Sequence, residues 1–171
     1  MQALDFSDRP PRTRKPATRL VFPLGLTVAI TSAALAGPQS DHYIDDRSSP
    51  ERVIISLYNA VNRQEYLRAW SYFNPETGPP LATFTEGYTG TAQVELRTEG
   101  AAGSIHAMVP LVLKATDTDG SRKVFTGCYH LTQVQPAAQT TLPFRPILID
   151  DGRLEESDTP FPEAMGQCDT P

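Results

Sequence analysis

Two periods of apolar residues divide this chain. Between residues 48 and 73 the spacing is helical, with Val53, Ile54, Leu57, Tyr58 and Val61 on one stripe of an amphipathic helix. Its start is marked by Ser48-Ser49-Pro50-Glu51: a serine able to cap, a proline at the first helical position, and capping-box spacing from Ser48 to Glu51. A second, short helix is predicted over 64–73, with Tyr66, Ala69, Trp70 and Phe73 on one face. The run Asn74-Pro75-Glu76-Thr77-Gly78-Pro79-Pro80 interrupts the pattern, and residues 81–88 read as a third helical piece.

From residue 91 the period becomes two. Strands are predicted over 91–98, 104–116, 122–134 and 144–154. Asp119-Gly120 between alternating runs is a strong hairpin signal. A two-residue turn there would set Pro110 opposite Tyr129 and Leu111 opposite Cys128. One face would then carry Ile105, Ala107, Val109, Leu111, Leu113, Val124, Cys128 and His130. The other would carry His106, Met108, Pro110, Val112, Phe125, Tyr129 and Leu131. Both faces are apolar, so the sheet is expected to be covered on more than one side or to line a pocket. Pro110 inside a strand predicts a bulge or an edge position. Helices followed by an antiparallel meander give the α+β class.

Composition adds bounds. With 171 residues, 39% hydrophobic and 20% charged, the chain suits one ordinary domain and leaves little room for a large two-domain enzyme. A mean hydropathy of −0.33 excludes a polytopic membrane protein. The net charge of −5 is unevenly spread: residues 1–36 carry +3 and residues 37–171 carry −8. The acidic balance of the longer part disfavours nucleic acid or anionic lipid as a partner.

The basic start, the uncharged stretch 20–36 and its Ala34-Leu35-Ala36 end have the form of a secretory signal peptide over 1–36. An uncleaved membrane anchor is the competing reading, although Pro23, Gly25 and the hydroxyl residues weaken a span. No Arg-Arg pair precedes the stretch and no cysteine follows it, which disfavours twin-arginine export and a lipid-modified terminus. Export, to a bacterial periplasm or outside the cell, is the expectation, with membrane anchoring as the alternative. Residues 37–47 read as a flexible linker, 48–156 as the domain and 157–171 as a proline-rich tail. The two cysteines, Cys128 and Cys168, are expected to join in a disulfide that ties this tail back, since exported proteins with two cysteines usually pair them. A zinc or redox pair fits their spacing poorly.

The capped helix SPERVIISLYNAVNRQEYLRAWSYF, the segment PLATFTEGYTGTAQVEL and the strands SIHAMVPLVLKATDTDGSRKVFTGCYHL resemble the nuclear transport factor 2-like superfamily. That superfamily includes steroid delta-isomerase-like and polyketide-cyclase-like proteins, and the likeness is greater to its exported bacterial members of unassigned function. The resemblance covers about 48–155 and implies a cone-shaped α+β fold with a curved sheet wrapped around a helix. Fold alone leaves the chemistry open, because the same cone hosts isomerases, dehydratases, cyclases and binding modules.

Tyr58, Trp70, Tyr88, His106, Phe125, Tyr129 and His130 are the candidate residues of a cavity or partner face. Tyr58 could donate a hydrogen bond into a cavity, or sit in the core with its hydroxyl at the rim. The register above places His106 and His130 on opposite faces, against a joint site, and a lone strand histidine is more often structural. No carboxylate falls within 105–115 or 124–135, which removes the usual base of an isomerase. No phosphate loop, metal cluster or cofactor motif is visible, and Asp150, Asp151, Glu155, Glu156 and Asp158 read as solvated charge. The expectation is a non-catalytic binding or assembly module holding a small apolar ligand or a protein partner. A small isomerase or dehydratase using Tyr58 with His106 or His130 is the alternative. Phe125, Tyr129 and Leu131 are the expected face of a homodimer formed through the sheet.

Overall fold

The structure, a computed structural model, describes residues 42–140 and 142–168. The predicted leader at 1–36 and the first part of the predicted linker, 37–41, lie outside the described residues.

Helix α1 (Pro50–Asn62) forms where the stripe placed it, and Val53, Ile54 and Leu57 are wholly buried. Each such side chain contributes about 1.5–3 kcal/mol on burial. Ser49 is the cap: its hydroxyl accepts from Arg52 N–H at 3.4 Å and donates to Glu51 at 2.9 Å. The expected Ser48–Glu51 box does not form, and the cap falls one residue later, at Ser49. Gln64, with φ +58°, reverses the chain after α1, and Glu65 N–H closes back on Ala60 C=O. That reversal delays α2 to Tyr66–Trp70, short of the predicted 64–73 at both ends. At its far end, residues 72–74 leave the helix to line the sheet: Ile149 N–H bonds Tyr72 C=O and Asn74 N–H bonds Ile149 C=O. Helix α3 (Leu81–Tyr88) matches its predicted range.

Four strands follow: β1 (Thr91–Thr98), β2 (His106–Asp117), β3 (Arg122–Gln133) and β4 (Ile147–Ser157). They make one antiparallel sheet in sequence order. A mixed α+β architecture with a four-stranded antiparallel sheet is thus established.

The β2–β3 turn corrects the predicted register. Asp117 N–H bonds Ser121 C=O, so the loop has three residues, and Gly120 supplies its left-handed position at φ +86°. Every pair slips by one: Pro110 faces Cys128 and Leu111 faces Gly127. Phe125, Tyr129 and Leu131 therefore join Val109, Leu111 and Leu113 on the helix side, while Cys128 and His130 join His106, Met108 and Val112 on the outer side. Pro110 needs neither bulge nor edge. Its missing N–H points towards β1, which has ended at Thr98, and its carbonyl accepts from Glu99 N–H at 3.2 Å.

Both faces of the sheet are covered. The helices lie on one. Residues 158–168 cross the other as a strap, with Val112, Cys128 and Ala164 buried beneath or within it. The Cys128–Cys168 disulfide ties its end down. Arg97 donates to the carbonyls of Phe161, Pro162 and Ala164 along its course.

Residues 42–47, expected to be a loose linker, are instead docked on α1 and α2. Asn59 bonds Ile44 N–H and His42 C=O, Ser56 bonds Asp46 N–H, and Arg68 donates to Ile44 C=O. The polar residues on α1 that interrupt its apolar stripe are what hold this segment.

Candidate functional site

The helix-side face of the sheet converges on three phenols. Tyr58 lies on the buried stripe of α1, and Tyr129 rises from β3 opposite Val109 and Gly152. Their hydroxyls meet at 2.8 Å, with the rings edge to face at 6.4 Å. Tyr88, at the end of α3, interacts with both hydroxyls. Burial, reinforced by the neighbouring phenols, pushes Tyr58 well above the ordinary tyrosine value. Burial likewise raises Tyr129 and Tyr88. At neutral pH all three are therefore protonated donors, and none is a base.

Above them opens a pocket of about 480 Å³ between α3 and the hairpin end of the sheet. Phe84, Val94, Leu113, Phe125 and Leu154 make its apolar walls, Tyr58 and Tyr88 face it, and Asp117 and Lys123 stand among its lining. Phe84 stacks between Phe73 and Tyr88, at 5.5 and 5.0 Å, which holds α3 in place. Tyr66 adds a hydroxyl bond to Tyr88 C=O at 3.4 Å. Lys123 is engaged with Glu156 at 2.9 Å.

Of the sequence candidates, the structure brings together Tyr58, Tyr88, Phe125 and Tyr129. Trp70 packs on the core from beside the pocket and donates its indole N–H to Pro79 C=O at 2.7 Å, fixing the loop that leads into α3. The two histidines are elsewhere. Both lie on the outer face, His106 beside Thr132 at 3.2 Å and His130 beside Asp151 at 2.7 Å. The sheet separates them from Tyr58, so the expected partnership of Tyr58 with either histidine does not form. Their expected placement on opposite faces is corrected by the same one-residue slip. Phe125, Tyr129 and Leu131 cannot form a dimer face, because Tyr129 and Leu131 are buried under the helices.

Phe84, Leu154, Asp117 and Lys123 were missed. Phe84 had a signal, standing four residues before Tyr88 on one helix face. The other three needed the true register. A second cleft of about 470 Å³ lies on the outer face between β3, β4 and the strap, with His130, Arg153, Glu155 and Glu163 in its walls. Among the described residues no group of three metal-ligating side chains converges anywhere.

No family model matches the chain, and no curated protein does. Solved structures do. The solution structure of a SEC-C motif containing protein from Rhodopseudomonas palustris superposes with a TM-score of 0.52 at 13% identity, over 64% of this chain and 80% of that one. A crystal structure of a SEC-C motif containing protein from Psychrobacter arcticus matches at 0.48 and 13%, over 71% of each chain. At such identity the first match speaks for a shared fold and for nothing chemical, and the second is too remote to add to it. The first neighbour corrects the resemblance read from the sequence: it is a SEC-C motif containing protein, and the likeness to the nuclear transport factor 2-like superfamily is not upheld. The helix and strand order that suggested that superfamily is a packing pattern, and packing patterns are shared between families.

Proposed function

We propose that this chain is an exported, non-catalytic binding module whose pocket takes a small apolar ligand bearing one hydrogen-bond acceptor. The observation behind this reading is an apolar pocket closed at one end by buried phenols. The Tyr58, Tyr129 and Tyr88 hydroxyls interact with one another, and an acceptor brought by a ligand takes one of these O–H groups as its donor. A keto, acyl or phenolic oxygen entering between the apolar walls is met by that donor. The reading as an isomerase or dehydratase needs a base beside Tyr58, and His106 and His130 stand across the sheet from it. Export is supported by the leader-like start and by the disulfide, which persists in oxidising compartments. Among the described residues no helix is long and apolar enough to cross a membrane. Mass measurement of the mature chain tests this part: loss of 1–36 supports export, and retention of 20–36 supports the anchored form instead.

The pocket is tested with the ketone-bearing fluorophore prodan. One saturable site with blue-shifted emission is expected. Gly87 lines the pocket, and a side chain added there meets nothing within 4 Å at its first carbon, so Gly87→Phe fills the space without straining α3. It should abolish binding. Tyr58→Phe should weaken binding about tenfold, the worth of one hydrogen bond of about 1–1.5 kcal/mol. No saturable binding, or binding that Gly87→Phe leaves intact, would overturn the reading.

A further inference from the structure

The two edges of the sheet are treated differently. An edge strand exposes unpaired backbone groups, which proteins normally cover or blunt. On β1 the cover is a side chain: Asn62 of α1 accepts from Val94 N–H at 2.7 Å and donates to Val94 C=O at 2.9 Å. On β4 the cover stops early. Residues 72–74 pair with Ile149, and Thr77 donates to Asp150 C=O at 2.8 Å. Beyond that point, among the described residues, no backbone group outside the sheet bonds residues 151–157.

The register says which groups are left over. Val134 N–H bonds Pro146 C=O and Asp117 N–H bonds Ser121 C=O, so even residues of β3 face β4 and odd residues face β2. Their partners on β4 are Asp151, Arg153, Glu155 and Ser157. Gly152, Leu154 and Glu156 therefore turn their N–H and C=O groups to the open side.

We propose that two copies of this chain pair antiparallel along β4, about a two-fold axis at Leu154. In that register the free segment 151–157 matches itself from end to end, and Leu154 meets Leu154 in a doubly hydrogen-bonded pair. Gly152 and Glu156 pair the same way on either side. On the outer face Arg153 of one copy stands opposite Glu155 of the other, twice over. Within one strand these two side chains already touch at 3.1 Å, so pairing closes a ring of four alternating charges. A slip of two residues in either direction sets Arg153 against Arg153, or Glu155 against Glu155, and is disfavoured. The charges that could simply repel a passing strand are thus complementary to their own reversed copy. The partner surface lies at the edge of the sheet, not on its face.

Sedimentation equilibrium of the purified full chain tests this. A concentration-dependent monomer–dimer equilibrium is expected, weakened by salt. Arg153→Glu and Glu155→Arg should each raise the dimer dissociation constant about tenfold or more, since each sets two like-charged pairs across the axis. Both side chains are largely exposed, 74% and 69%, so the fold should survive, as circular dichroism will show. Mixing the two variants should restore association, because unlike charges again face one another. A wild-type chain that stays monomeric, single variants that associate like wild type, or a mixture that does not recover would each overturn the proposal.

Discussion

Gly152 stands opposite Tyr129 in the ladder, and a Cβ there would lie 2.1 Å from the Tyr129 ring. The phenol lies over the space the glycine leaves, and so reaches Tyr58. Gly152→Ala should displace Tyr129, lower stability by about 1–3 kcal/mol in urea titrations and weaken prodan binding. The chain order showed Tyr129 as an aromatic with a polar end, but not where it points. That followed from one extra residue in the β2–β3 turn, which slips the register by one and puts Tyr129 on the helix side. Asp45 teaches the same lesson on the other side of α1. Burial would raise its carboxyl, but hydrogen bonds from Tyr72 and Arg47 and the charges of Arg47 and Arg68 hold it below its usual value. Asp45→Asn should cost about 1 kcal/mol near neutral pH, with a smaller loss in acid. Nothing in the string DHYIDDR says which of its aspartates Tyr72 and Arg47 will bond.

At the scale of elements, local rules worked where the element is decided locally. The limits of α3 and β1 fell where apolar period and breakers put them. Helix α2 did not, because residues 72–74 are claimed by Ile149, a partner distant in sequence. The strap is the clearest element set by distant contacts. Its carbonyls rest on Arg97, its Phe161 ring lies 5.7 Å from that guanidinium and 5.3 Å from Lys114, and its end is bonded to Cys128. Closing a loop of 40 residues stabilises by roughly 4 kcal/mol in the chain-entropy account. Cys168→Ser should therefore lose about 2–4 kcal/mol in denaturant titrations. Arg97→Ala should leave the disulfide intact yet free the strap's middle, seen as faster protease cleavage after residue 158 with the sheet uncut.

For the whole molecule, stability should fall at both ends of the pH scale. On the acid side, Asp45 and Glu65 have lowered native values, so their contribution is present above the ordinary carboxylate range, about 3.9–4.3, and is lost as pH falls through the native values. On the alkaline side, Tyr58, Tyr72, Tyr88 and Tyr129 are raised, so their contribution is complete below about 10 and lost as pH climbs through the native values. Urea midpoints measured across pH should trace this dome, and the Tyr58→Phe, Tyr129→Phe pair should flatten its alkaline limb. While α2 came out shorter than 64–73 and β4 three residues later than 144–154, the sequence by itself determined the α+β class, the order of the helices and strands, the cysteine pairing and the need for cover on both sheet faces. These depend on period, breakers and composition, which are local or summed properties. Only the tertiary structure decided which face each strand residue joins, that the histidines stand apart from the phenols, and that β4 keeps an open edge. Each of these turns on register, and a shift of one residue across a ladder reverses every side chain while leaving the alternation along each strand unchanged.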